Sequence, residues 1–250
     1  MIPIAKPIIG PEEREAVDRV LQSGIIAQGP EVAKFEEEFA KYTGTKFAIS
    51  VSSGNAALQL SLIGLGIKQD SKVITTTNSF IASANCIKMV GAEPILCDIH
   101  SDDGNMNIKT TDEKPDAIIP VHIYGNPCDF NAIKEVSEQN EVPIIEDACQ
   151  AHGAIYDQKK VGTLGDVGCF SFYPTKIINS AEGGNSSAVD AFTVADYLRK
   201  NEKKIFETLV NVPLKFRDKD YTQDAHRSFY GTAISLTKDG DYNDIRFSVA

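Results

Sequence analysis

The sequence predicts an α/β fold over residues 1–184, a three-layer sandwich around a mostly parallel sheet, followed over residues 185–250 by a small mixed α+β tail. Three observations carry this prediction. Short apolar runs bounded by turns alternate with amphipathic helical stretches, as expected of strands buried on both faces between helices. The composition, 42% hydrophobic and 24% charged, suits a chain that packs a core. Charge also changes along the chain: residues 185–250 hold ten basic and ten acidic residues, so the net −10 falls on residues 1–184.

The elements follow in order. Residues 11–22 read as a helix, with Pro11 suited to its first turn and Ala16, Val17, Val20 and Leu21 on one face. Gly24 and Gly29-Pro30 break the chain before a second helix, marked by Val32, Phe35, Phe39 and Tyr42 and ending near Gly44. Strands are expected at Phe47–Val51, Val73–Thr75, Pro94–Asp98, Ala117–His122, Pro143–Glu146 and Cys169–Phe172, and helices at 55–65, 80–90 and 130–139. In the tail, Val189–Leu198 and Ile205–Leu209 look helical. Leu214–Phe216, Ala233–Leu236 and Asp244–Ser248 look extended, the last two joined by a turn at Lys238–Asp241.

In parallel sheets ligands gather at the carboxyl ends of strands, so residues just past each strand are the ones to inspect. Ser52-Ser53-Gly54-Asn55-Ala56-Ala57 follows a strand and opens a helix, where free backbone N–H groups and the helix dipole suit a phosphate. A plain capped helix would carry the same signature. Glu146-Asp147-Ala148-Cys149-Gln150 follows another strand, and an acidic residue there can hold a cationic ring nitrogen, with Gln150 within reach of the same ligand. An N-cap is the simpler reading, and His152 by itself reads as a structural histidine. Past a third strand, Lys176 lies in an apolar context that lowers an amine's pKa, as attack on an aldehyde requires, while Ser171 could donate to a phosphate. Phosphate cradle, carboxylate for a pyridinium and amine for an aldehyde together match pyridoxal 5'-phosphate (PLP).

Residues 1–184 resemble the DegT/StrS sugar aminotransferases, a family of fold-type I PLP enzymes. The resemblance runs through Gly24-Ile25-Ile26-Ala27-Gln28-Gly29-Pro30, Ser53–Leu58, Ser79–Asn85, Val121-His122-Ile123-Tyr124-Gly125, Glu146–Gly153, Phe170–Lys176 and Ala181-Glu182-Gly183-Gly184. It implies that this segment is a PLP-transferase large domain and that Lys176 attaches covalently to the cofactor and carries the proton. It implies that Asp147 pairs with the ring nitrogen, Gln150 lies near the phenolic oxygen and Phe80 stacks on the ring. Gly54, Asn55 (commonly Thr in the family) and Ser171 would bind the phosphate. Glutamate would donate the amino group to a keto-sugar carried on a nucleotide, in a homodimer. The retained Lys176 favours transamination over the dehydration performed by relatives that replace it.

After Gly184 the resemblance is expected to stop. The next sheet strand, later helices and small C-terminal domain of the family are not recognisable there. Residues 183–250 instead resemble an internal segment of TauD/γ-butyrobetaine-type Fe(II)/2-oxoglutarate dioxygenases, through Phe206–Leu209, Val212–Phe216 and Ile245-Arg246-Phe247. That family's iron ligands lie on either side of the matching stretch, so no metal ligand is expected here. His100-Ser101-Asp102 reads as a polar loop after a strand. Two other functional readings stay open at this point: a catalytically impaired, truncated or fused remnant of the aminotransferase, and an iron/2-oxoglutarate oxygenase.

The remaining composition narrows the partners. A net charge of −10 is the wrong sign for a nucleic-acid surface. No apolar run approaches the roughly 20 residues that span a membrane, and MIPIAKPIIG lacks a signal-peptide pattern. The five cysteines form no C-x-x-C pair and suggest neither a zinc ribbon nor a disulfide framework, so the cytoplasm is the expected location.

Overall fold

The computed structural model describes residues 8–26 and 28–180 and the backbone of 186–189. Two units divide between Phe35 and Glu36. In the first, α1 (Pro11–Ser23) starts at Pro11, whose missing N–H costs nothing at a helix start, and the Glu13 carboxylate accepts from the Gly10 amide at 2.6 Å. It ends at Gly24, whose φ of 72° is the left-handed conformation that glycine adopts freely. Helix α2 (Pro30–Thr43) begins in this unit and carries its buried residues, Phe39, Ala40 and Thr43, in the second.

The second unit holds the sheet. Its strands are β1 (Ala48–Val51), β2 (Lys72–Thr76), β3 (Glu93–Cys97), β4 (Ala117–Ile118), β5 (Ile145–Asp147), β8 (Val167–Cys169) and β9 (Ser186–Val189), with α3 (Gly54–Gly64), α4 (Ala82–Met89) and α5 (Phe130–Asn140) between them. A separate hairpin pairs β6 (Ile155–Tyr156) with β7 (Lys159–Lys160). Ladders give the orders β1-β9-β8-β5 and β3-β2-β4, and parallel bridges Ile118–Ile144 and Val121–Asp147 join the two. The resulting order is β3-β2-β4-β5-β8-β9-β1, parallel throughout except for β9, which runs antiparallel to both neighbours.

Successive strand residues serve opposite faces, as a period of two requires. Val73, Ala117, Ile119, Ile145 and Val167 pack with Leu58 and Leu62 of α3 and Ile87 of α4. Their neighbours Ile74, Ile118 and Ile144 pack on the other side with Phe130 and Ile133 of α5. Helices therefore cover both faces, giving the predicted three-layer α/β architecture.

Several expectations need correction. Strand β4 is only Ala117–Ile118 rather than Ala117–His122, because Pro120 has no N–H to extend the ladder. Strand β8 is Val167–Cys169 rather than Cys169–Phe172, because Phe170 and Phe172 turn away to pack on Phe39 at 5.1 and 5.4 Å between ring centroids, both edge to face. The hairpin β6–β7 went unread because its turn, Asp157-Gln158, lacks glycine although both residues have positive φ. Most consequential is β9. No strand was expected over 185–189, whose residues are mostly small or polar, and Val189 was expected to start a helix, yet the backbone of Ser186–Val189 fills the position between β1 and β8. The sites of the tail elements read over 190–250 lie outside the described residues.

Candidate active site

Every candidate residue lies just past the carboxyl end of a parallel strand: Gly54 and Asn55 after β1, Phe80 after β2, Gln150 after β5, Ser171 and Lys176 after β8, with Asp147 the last residue of β5. Parallelism explains this gathering, since all those strand ends open on one edge of the sheet.

Helix α3 starts at that edge. Ser53 caps it, its hydroxyl accepting from the Ala56 amide at 3.1 Å. A side chain at Gly54 would place its Cβ 2.9 Å from Cys149 Sγ and 3.4 Å from Ser171 Cβ. The first-turn backbone thus abuts Cys149 and Ser171, an approach only glycine allows, and the helix-start amides and the Ser171 hydroxyl lie together as an anion site needs. Asn55 directs its Nδ2 to Met89 Sδ at 3.4 Å, so its side chain contacts α4 in this structure.

Asp147 is 5% exposed, and Ser83 Oγ of α4 donates to its Oδ2 at 2.7 Å. Ser79 Oγ lies 2.6 Å from Ser83 Oγ, and the Cys149 amide reaches Asp147 Oδ1 at 3.3 Å. These donors hold a carboxylate ready for a cationic partner. Ser83 in the first turn of α4 and Ser79 in the loop before it were missed from sequence.

Gln150 uses its carbonyl oxygen to accept from the Tyr124 amide at 2.9 Å. This hydrogen bond orients the side-chain amide and supports Tyr124, whose φ of 55° is unusual for a bulky residue. Tyr124 itself is 78% exposed. Phe80 is 72% exposed, and its backbone carbonyl accepts from the Ser83 amide, which ties its loop to the donor of Asp147.

Lys176 is half-buried, and its amide donates to the Tyr173 carbonyl at 2.8 Å. Its charge is felt at His152 and Cys149. Burial pushes His152 down to about 4, with the Lys176 charge adding to the effect and the Ser171 backbone opposing it. Neither ring nitrogen of His152 makes a hydrogen bond of normal geometry; the ring sits against Phe170 and Phe172 at 5.3 and 5.2 Å. The Cys149 thiol is raised well above its ordinary value, by burial first and then by the Asp147 charge. Glu146, the other acidic residue of the motif, points to the opposite face of β5 from Asp147 and is wholly buried. Past β3, the His100 amide donates to the Asn105 carbonyl in a closed turn.

The residues present fit PLP. Gly54, Ser171 and Cys149 converge where a phosphate would sit, and a donor-held carboxylate and an amine belong to the same strand-end edge. The chain belongs to the DegT/DnrJ/EryC1/StrS aminotransferase family, which it matches over residues 7–197. The match runs past Gly184 and includes β9, so the family resemblance extends beyond the point where the sequence reading ended it.

The GDP-perosamine synthase of Escherichia coli O157:H7 is 39% identical over 188 residues, which cover 73% of this chain and 52% of that protein. Among solved structures, the aminotransferase from Psychrobacter cryohalolentis superposes with a TM-score of 0.73 at 31% identity, covering 80% of this chain and 52% of that one. E. coli GDP-4-keto-6-deoxy-D-mannose-3-dehydratase with bound hydrated PLP superposes with a TM-score of 0.72 at 28% identity, covering 79% and 53%. PLP is the cofactor of this family. The chain spans about half the length of the curated relatives it matches. No helix among the described residues is long and apolar enough to cross a membrane.

Proposed function

We propose that this chain provides the cofactor-binding large domain of a PLP-dependent aminotransferase that moves an amino group, with glutamate as donor, onto a nucleotide-linked keto-sugar, working as a homodimer in the cytoplasm. The observation that carries this reading is the packing of Gly54 against Ser171 and Cys149, which sets the first turn of α3 against the segments that bear Asp147 and Lys176. Two relatives described as GDP-perosamine synthases support a sugar-nucleotide substrate.

PLP, when bound, supplies an aldehyde that condenses with amines and a ring that accepts electrons. Each residue has a part that follows from its surroundings. The first-turn amides of α3 at Gly54 and Asn55, with the Ser171 hydroxyl, would hold the phosphate through directed N–H and O–H donors and the helix dipole. Asp147, oriented by the Ser83 hydroxyl and the Cys149 amide, would accept from the protonated ring nitrogen. Gln150, its carbonyl engaged by the Tyr124 amide, presents its NH₂ as a donor to the phenolic oxygen. Phe80 offers an aromatic face to the ring. Lys176 would supply the amine that holds the cofactor and then carry the proton between the substrate carbon and the cofactor carbon.

The test is a visible absorption spectrum of the purified chain with PLP, followed by borohydride reduction and peptide mapping. Cofactor fixed at Lys176 after reduction and, in an unreduced sample, its conversion to the amine form by glutamate are the expected results. A folded protein with no trapped cofactor, or with cofactor on another lysine, would overturn the reading.

A further inference from the structure

The motif that supplies Asp147 also supplies a second buried carboxylate that the proposed chemistry does not use. Glu146 and His122 are both fully buried. Four N–H groups converge on the Glu146 carboxylate: Leu164 and Gly165 amides on Oε1 at 2.6 and 2.7 Å, the Gly162 amide on Oε2 at 2.7 Å, and His122 Nε2 on Oε2 at 3.1 Å. The Cys128 amide donates to His122 Nδ1 at 3.0 Å, so the ring proton sits on Nε2 and points to Glu146.

This cluster ties together three segments: the end of the β4 stretch, β5, and the turn at 162–165 that feeds β8. It does so where the backbone ladder is thin, because Pro120 leaves β4 and β5 joined by isolated bridges and by the His122 and Asp147 amides. Those segments carry Tyr124, Asp147, Gln150, Ser171 and Lys176. A buried carboxylate is a poor source of stability, since apolar residues of similar volume do as well. What four directed donors provide is a single defined geometry.

We propose that Glu146 and His122 are positioning residues, which hold Asp147 and the Lys176-bearing segment in the relative placement that the cofactor requires. This rests on the reading given under Proposed function. The test uses the full chain, PLP as the probe, and two replacements of one ring. In His122→Asn the short amide can still accept from Cys128 but cannot reach Glu146; in His122→Gln the longer amide can donate to Glu146 in place of Nε2. Three quantities are measured for each: the PLP dissociation constant, the absorption maximum of bound PLP, and the thermal midpoint without PLP.

The expected result is an about tenfold weaker PLP affinity and a displaced absorption maximum for His122→Asn, with both restored toward wild type in His122→Gln. Wild-type affinity and spectrum in His122→Asn would overturn the proposal. So would equal losses in the two variants, or a PLP affinity that merely follows the thermal midpoint, or loss of the fold in both, since each marks a structural role only. If wild-type protein takes up no PLP, the functional reading fails and this proposal with it; uptake by wild type without the contrast between variants defeats this proposal alone.

Discussion

Replacing His152 with leucine should flatten the acid dependence of stability. The imidazole is packed between Phe170 and Phe172 with neither nitrogen hydrogen-bonded in normal geometry, and burial with the nearby Lys176 charge lowers it from 6.5 to about 4. The native ring therefore stays neutral between these values, while the unfolded ring takes up a proton below about 6.5. Over that window the unfolded state binds more protons, so this residue makes stability fall as pH falls from about 6.5 to about 4. At about 1.4 kcal/mol per pH unit the ceiling is about 3 kcal/mol, and partial exposure of the ring reduces it to about 2. Urea unfolding of wild type and His152→Leu at intervals from pH 4.5 to 7.5 isolates the contribution, because carboxylates common to both proteins cancel in the difference. The leucine variant should gain about 2 kcal/mol on wild type between pH 7 and pH 4.5. A difference that is constant with pH, or that moves the other way, would refute the burial argument, and an NMR titration of the ring above pH 6 would refute it directly.

Lys176→Ala should abolish borohydride-stable attachment of PLP while circular dichroism shows the fold retained, because the side chain is half-buried at a strand end and not part of the core. Ser83→Ala leaves one oxygen of a buried carboxylate without its 2.7 Å donor and should cost about 1–3 kcal/mol in urea unfolding, together with weaker PLP uptake. Gly168→Ala would put a Cβ 2.1 Å from the Gly162 carbonyl oxygen in the middle of β8, so a loss of about 3 kcal/mol or failure to accumulate in soluble form is expected. Burial raises the Cys86, Cys128 and Cys169 thiols, to about 12 for Cys128. A thiol reagent at pH 8 should therefore modify these three only after unfolding, as peptide mapping would show.

Legibility differed between elements for physical reasons. Helices α2, α3 and α5 were readable because their apolar residues recur at helical spacing and their ends carry Pro, Ser or Asp. Strand β2 was readable because Val73-Ile74-Thr75 is the short β-branched run that suits a strand buried between two layers, and β3 because Ile95-Leu96-Cys97 is a short apolar run, although it forms the partly exposed edge of the sheet. Strand β9 was invisible: Ser186, Ser187 and Ala188 carry no strand signal of their own, and the backbone is extended because β1 and β8 present free ladder edges on either side. The end of β8 was misplaced because Phe170 and Phe172 look like strand residues locally, whereas their rings are claimed by Phe39 and His152.

The site shows the same division. The sequence by itself determined the chemical inventory, since Gly54, Asp147, Gln150, Ser171 and Lys176 each follow a strand in motifs whose residue types suit a phosphate, a pyridinium and an aldehyde. The resemblance already singled out Asp147 from two adjacent acids, and the tertiary structure shows how they part: the alternation of β5 sends Asp147 to Ser83 and Glu146 to His122 and the turn at 162–165. It also decided that Gly54, Cys149 and Ser171 touch, because only a parallel sheet brings the ends of β1, β5 and β8 to one edge. Local sequence encodes what a residue can do; the ladder between distant strands sets what it does it to.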